Sequence, residues 1–353
     1  MTAYWTLFAI AVSLALTNWP RGWGRFAKYI NIFIFFLFSL FIGFRFLVGG
    51  DWFNYEVIYL TIARSDFVDA IQVSDPAYSL FNWVVGQAGG SVWHVNLICA
   101  ALFSYALLRF VANLPSPGTA LVAALPTLVI VIAMGYTRQA CAVSCIMLAA
   151  TAFRERFEFK WVAWLVIAVA FHKSAIFVFP IFFFAASENR ILSLSVGALL
   201  GFGLLSILIL GNIQNLLAIY VEAEQQSGGA AVRITLAVIT GLAFLLLPNL
   251  REVYGIQHSL WRNMALASIA LIPAYVLVQS STIVDRIAVL FIPLQIVFFG
   301  GIAKSIVKTP ILGGAVLVAV SAFQLAVLTI WLYFAANSFA WIPYRNVLFE
   351  QFV

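Results

Sequence analysis

The chain has 353 residues, 64% of them hydrophobic and 9% charged, with a mean hydropathy of +1.04. A soluble domain is roughly half apolar and about a quarter charged, so this composition excludes a soluble globular protein and leaves no room for a large extramembrane domain. The formal net charge of +6 reads mostly as a topology signal and gives no ground for nucleic-acid binding.

At about twenty residues per crossing, the reading is all-α. The chain forms a single polytopic membrane domain over 1–353, a bundle of about 10–12 transmembrane helices with interfacial helices on its outer face. In chain order the candidate spans are 3–19, 29–48, 91–111, 119–135, 138–154, 161–172, 173–187, 192–211, 232–249, 263–280, 286–303 and 311–334. The first apolar run, Tyr4 to Thr17, has no basic segment before it and reads as a span, not a cleavable signal. Arg21, Arg25 and Lys28 follow it, which makes that linker cytoplasmic and places the N-terminus outside.

Residues 49–90 form a long outer loop. Trp52, Phe53, Tyr55, Ile58, Tyr59 and Ile62 alternate there with polar residues, as in a helix lying in the interface. A second such helix is expected from Pro76 to Gly90. Cys99, Cys141 and Cys145 lie in apolar runs and read as small packing residues, so neither a disulfide nor a metal is assigned. The segment 161–187 is ambiguous. One long helix would put His172-Lys173 at mid-membrane and worsen the basic-residue balance downstream, so two short helices meeting at that dipeptide are expected. A broken pair of this kind is tolerated where it lines a polar cavity. Gly197 and Gly201 are spaced for close helix packing. The outer loop 211–231 is a connector or a lid, and 335–353 is an outer tail.

In this topology seven of the nineteen basic residues fall outside: Arg45, Arg64, Arg138, Lys173, Arg233, Arg286 and Arg345. A charge held near the hydrocarbon costs at least ~2.5–3.5 kcal/mol on insertion scales, so a group of them on one face marks a candidate polar site. Arg45 precedes a helix break at Gly49-Gly50, which displays Asp51 with Tyr55 one turn beyond it. Tyr136-Thr137-Arg138-Gln139 opens a helix, so the Arg138 and Gln139 donors and the free amides point together, as suits an anion. His172 can exchange a proton near neutrality and Lys173 can hold a phosphate. Asp285-Arg286 supplies a carboxylate and a guanidinium, and Arg345 a further cation. Each group also has a plain structural reading: a helix-end ion pair, a snorkelling arginine, an interhelical hydrogen bond, a salt bridge fixing two helices, a surface residue. Five cations against two carboxylates favour an anionic substrate such as a diphosphate over a cation pore.

The ordered set Phe44-Arg45, Gly49-Gly50-Asp51, Tyr55, Tyr136-Thr137-Arg138-Gln139, Phe171-His172-Lys173-Ser174-Ala175, Asp285-Arg286 and Tyr344-Arg345-Asn346 resembles the EpsG family of bacterial polysaccharide-synthesis proteins, which are Wzy-like repeat-unit polymerases. Trp52 and Ile287-Ala288 depart from the pattern. The resemblance implies a metal-independent membrane glycosyltransferase of exopolysaccharide, capsule or O-antigen synthesis. It would join oligosaccharide units carried on undecaprenyl diphosphate at the outer face of the cytoplasmic membrane. No cofactor is expected. Expected partners are the lipid-linked oligosaccharide, the bilayer, a chain-length regulator and other export components. Catalytic roles then fall to His172, Arg138 and Asp51, and substrate binding to Arg45, Tyr55, Gln139, Lys173, Asp285, Arg286 and Arg345. A transporter or flippase of lipid-linked saccharides, a glycan ligase and an O-acyltransferase stand as alternatives.

Overall fold

A computed structural model of the protein describes residues 1–154, 158–186, 195, 229–277, 281–306 and 310–350. The expected span 192–211, with Gly197 and Gly201, and the loop 211–228 lie outside the described residues. Most of those described are helical and none forms a named strand; an isolated β-bridge joins Arg45 and Asn346. The protein is therefore an all-α polytopic membrane protein, as its composition requires.

The N-terminal half runs α1 (Thr2–Leu16), α2 (Ala27–Gly43), α3 (Trp52–Ala63), α4 (Phe67–Val73), α5 (Pro76–Gln87), α6 (Val92–Ala112), α7 (Pro117–Gly135) and α8 (Thr137–Ala152). The remainder comprises α9 (Phe159–Phe171), a 3₁₀ turn (Lys173–Val178) leading into α10 (Phe179–Ala186), α11 (Ala230–Leu246), α12 (Leu250–Leu277), α13 (Ser281–Val289), α14 (Ile292–Ile306) and α15 (Pro310–Phe334). Among the described residues five of these stretches are long and apolar enough to cross a membrane: α2 with its leading turn, α6, α7, α12 and α15. A sixth crossing follows if α13 and α14, bent by 42°, form one passage. Helices α1, α9, α11 and the 173–186 segment are apolar but shorter.

Helix α7 is the hub. It is apolar on every side and wholly buried, as befits a helix at the centre of a bundle, and α1, α6, α14 and α15 pack around it. Pro126 lacks an amide and its ring crowds the preceding turn. The helix accommodates it by widening to π-type bonding over Leu125–Ile132.

The ambiguous segment resolves as a hairpin. His172 is extended (φ −158°, ψ 120°) between α9 and the 3₁₀ turn. Beyond it the chain runs back along α9, because Trp161 near the start of α9 packs on Phe182 and Phe183 near the end of α10, with ring centroids 5.8 and 5.2 Å away. Each aromatic pair of this kind is worth about 0.5–1.5 kcal/mol. With α9 only 13 residues long, or ~20 Å, the turn carrying His172 and Lys173 is recessed.

The loops sort into two ends. At one, Arg21 reaches the Pro115 carbonyl (2.7 Å), Asn249 the Ser305 carbonyl (3.0 Å) and Gln257 the Ala150 carbonyl (3.1 Å). At the other, Tyr4 reaches the Trp341 carbonyl (2.7 Å), the Gly49 amide the Ala340 carbonyl (2.8 Å), and Arg138 the Asp75 carboxylate (2.8 Å). The unexpected outer cations gather at this second end, with the helical loop α3–α5.

Candidate functional site

Three helix breaks cross at the base of this end: residues 44–51 after α2, 134–138 between α7 and α8, and 340–346 after α15. Gly49 has φ +107° and lies against the Met134 carbonyl and Gly135, while Gly135 faces the Trp341 ring. A side chain at either glycine would force the breaks apart. The Phe46 amide donates to the Arg345 carbonyl (3.0 Å) and the Val347 amide to the Phe44 carbonyl (2.8 Å), so 344–347 runs antiparallel to 44–46. Tyr344 donates to the Phe41 carbonyl (2.9 Å), and the Asn346 amide group to the Tyr344 hydroxyl (2.8 Å).

Arg45 belongs to this base. It is 1% exposed, and its guanidinium donates to the carbonyls of Ile42 (2.7 Å) and Val48 (3.2 Å) and to Thr137 Oγ1 (2.7 Å). Its guanidinium also sits 5.8 Å from the centre of the Trp52 ring, which gives that departure from the family pattern a physical role. Three of its five donors are committed to the crossing. The Arg345 side chain is exposed, and it is the Arg345 backbone that joins the crossing.

Above the crossing lies the pocket. Arg138, in the first turn of α8, donates from Nη1 to Asp75 Oδ2 (2.8 Å) and to Ser74 Oγ (3.1 Å). The pair is 23% and 6% exposed at its side chains. The Tyr55 hydroxyl faces the same guanidinium, and Lys173 acts on Asp75 through its backbone amide and its ammonium charge. Gln139 follows Arg138 into α8 and is buried, with no hydrogen-bond partner for Nε2 among the described residues.

Asp51 precedes α3 as its N-cap, but its side chain makes no cap hydrogen bond. Among the described residues, no side chain hydrogen-bonds or ion-pairs with its carboxylate. Burial raises its pKa above the ordinary carboxylate value, and the charges of Arg138 and Arg286 pull it partly back. His172 is turned the other way from a free base. The Ser174 amide points at Nδ1 (3.3 Å) and Ser174 Oγ lies 2.7 Å from it. An amide can only donate, so Nδ1 is the acceptor and the neutral ring carries its proton on Nε2. Arg138, Arg286 and Lys173 all lie within electrostatic reach of the ring.

Asp285 is joined to Arg233 across 52 positions of sequence. Arg233 Nε and Nη2 meet the two carboxylate oxygens at 2.5 Å each, and both side chains are buried. The Arg233 guanidinium also lies 5.9 Å from the centre of the Tyr136 ring. This forked pair ties α11 to α13 and aims the end of α13, with Arg286, at Asp51 and His172.

Of the residues singled out in the sequence, the structure brings together Asp51, Tyr55, Arg138, His172, Lys173 and Arg286, with Gln139 buried beside Arg138 in the chain. Arg45, Asp285 and the Arg345 backbone frame them. Asp75 and Ser74 were missed. Ser74-Asp75-Pro76 has the pattern of a helix start, an Asp cap before a Pro at the first helical position, and nothing local ties it to an arginine 63 residues away. Arg233 was missed as the partner of Asp285 for the same reason of distance. Among the described residues the pocket holds three cations, Arg138, Lys173 and Arg286, against two carboxylates, Asp51 and Asp75. This is a smaller excess than the expected five against two.

Fold and pocket together define a polytopic helical membrane protein with a charged, recessed site at one end of its bundle. The EpsG family profile matches residues 28–346, a range that holds every motif above, and the chain belongs to the EpsG family. No curated protein and no solved structure matches it. Family membership supports a polysaccharide-polymerase type of role.

Proposed function

We propose that the protein polymerises oligosaccharide repeat units carried on undecaprenyl diphosphate, with the pocket facing the outside of the bacterial cytoplasmic membrane. The observation that carries the reading is the meeting of Arg138, Lys173, Arg286 and the Nε2–H of His172 in one recess beside Asp51 and Asp75. When the bond between the anomeric carbon and the diphosphate oxygen breaks, the oxygen gains negative charge. Fixed donors already aimed at that position stabilise it without reorganising. The acceptor unit's hydroxyl attacks from the opposite face, the simplest course being inversion, and a base in the pocket removes its proton. The break at His172 lowers this chemistry below the surface, where a lipid headgroup can reach it, and the outer helices α3–α5 flank the entrance. The lipid diphosphate supplies the driving force, so the reaction as proposed draws on no nucleotide or metal.

The basic-residue pattern supports the orientation, because the loops rich in Arg and Lys lie at the end opposite the pocket. A flippase would need a polar path opening alternately to both ends. The costly charges of this chain cluster at one.

The test is the full-length protein in lipid, incubated with defined undecaprenyl-diphosphate oligosaccharides. A ladder of longer lipid-linked glycans is expected, undiminished by EDTA. Transfer of units between leaflets with no ladder would give the function to a transporter, and strong EDTA inhibition would refute the metal-free step.

A further inference from the structure

We propose that the two carboxylates of the pocket divide the work: Asp51 takes the proton of the acceptor hydroxyl, while Asp75 is a positioning residue that holds Arg138 at the leaving diphosphate. This inference rests on the polymerase reading above and assigns the roles that reading leaves open.

Three groups in the pocket can serve as a base, and two are already engaged. The Nδ1 lone pair of His172 is taken by the Ser174 amide, and Nε2 bears the proton. Neutral His172 therefore presents a donor, which suits a developing phosphate anion and not a hydroxyl proton. Asp75 is 5% exposed, receives Arg138 Nη1 at 2.8 Å, and is met by Lys173. A carboxylate held this way, buried and already bonded to a guanidinium, has little access to a sugar hydroxyl. It is well suited to fix a guanidinium, whose planar fork is useful only in a defined orientation. Asp51 is half-buried and follows the Gly49-Gly50 break, and no described side chain bonds to its oxygens. The groups that face it are Arg138 from α8, Arg286 from α13, Tyr55 from α3 and Tyr136 from the break before α8. Its neighbours thus place it between the cations without using up its lone pairs.

The acceptor oxygen forms the new bond to the anomeric carbon, and its proton passes to the Asp51 carboxylate. The anomeric carbon–oxygen bond breaks, and its electron pair leaves on the diphosphate, facing Arg138, Lys173 and His172 Nε2–H. Asp51 then releases its proton to water.

The experiment compares wild type, Asp51→Asn, Asp75→Asn and Asp75→Glu as full-length proteins in lipid. Ladder-forming rates are measured against pH, and binding of undecaprenyl diphosphate alone is measured separately. Asp51→Asn should lower kcat by about 100-fold or more, bind undecaprenyl diphosphate within about threefold of wild type, and lose the fall in rate toward acid pH. The retained binding shows that the variant is folded. Asp75→Asn should weaken undecaprenyl diphosphate binding and kcat/KM by about tenfold each yet keep the acid limb, and Asp75→Glu should recover most of the loss. If Asp51→Asn keeps the acid limb, or Asp75→Asn loses it, the division is overturned while the polymerase reading stands. A wild type that forms no ladder overturns both.

Discussion

The forked pair between Arg233 and Asp285 offers the sharpest test of how this end of the bundle is held. Both side chains are buried, and the two hydrogen bonds are 2.5 Å long, so replacing either partner alone breaks a buried, forked ion pair. Breaking one side of a buried pair costs about 3–5 kcal/mol, whereas replacing both by apolar residues of similar volume is often close to neutral. For a chain of this size one kcal/mol moves the melting temperature by about 2 °C, which puts Arg233→Met and Asp285→Leu each roughly 6–10 °C below wild type. The double variant should recover most of that loss. Heating the purified proteins in detergent and following the monodisperse fraction gives the three values, and the double-mutant cycle gives the coupling. The double variant should still form less polymer than wild type, because the pair also aims the end of α13, and Arg286 with it, at the pocket. Single variants within 2 °C of wild type, or a double variant as unstable as the two losses summed, would refute the reasoning.

Three further outcomes are expected. Arg45→Lys should fail to replace the arginine, since an ammonium cannot span the Ile42 and Val48 carbonyls and Thr137 at once. The expected loss is about 3 kcal/mol, read as a lower melting temperature, while the folded fraction keeps its KM for the lipid-linked unit. His172→Gln, which keeps a donor near the Nε2 position, should retain at least about ten times the activity of His172→Asn, which keeps only the Nδ1-like acceptor; the reverse order in the ladder assay would contradict the tautomer. Lys173→Cys in intact cells should react with a membrane-impermeant maleimide while wild type does not, because Cys99, Cys141 and Cys145 are all buried. Labelling only after the membrane is opened would invert the hairpin.

The fold was largely legible in the sequence, because apolar runs and the placement of Arg and Lys are local signals. The expected runs 29–48, 91–111, 119–135 and 311–334 each fall on a helix that is long and apolar enough to cross. Even the break at His172-Lys173 could be read, since a charge in mid-span is costly enough to force a choice. The site was legible only in part. Asp51, Arg138, His172 and Lys173 announced themselves as charges where charges are expensive. Asp75 did not, because a cap residue before a proline is ordinary in any helix. Arg45 stands out in the sequence as a costly charge, and in the structure its donors go to two carbonyls and a hydroxyl of the crossing, partners that no local signal names. Pairings such as Arg138 with Asp75 or Arg233 with Asp285 join residues dozens of positions apart, and only the packed helices decide them.

The strap formed by residues 340–347 also bears on how the protein is made. It closes over residues 44–49 and braces Gly135 through Trp341, yet it emerges from the ribosome some three hundred residues after the loop it secures. Until α15 has been inserted and the strap that follows it has been made, the Arg45 loop lacks its pairing strand and the floor of the pocket is unfinished. A nascent chain that has not yet delivered this strap therefore cannot present a completed pocket, and the insertion of α15 sets the earliest moment at which the site comes into being.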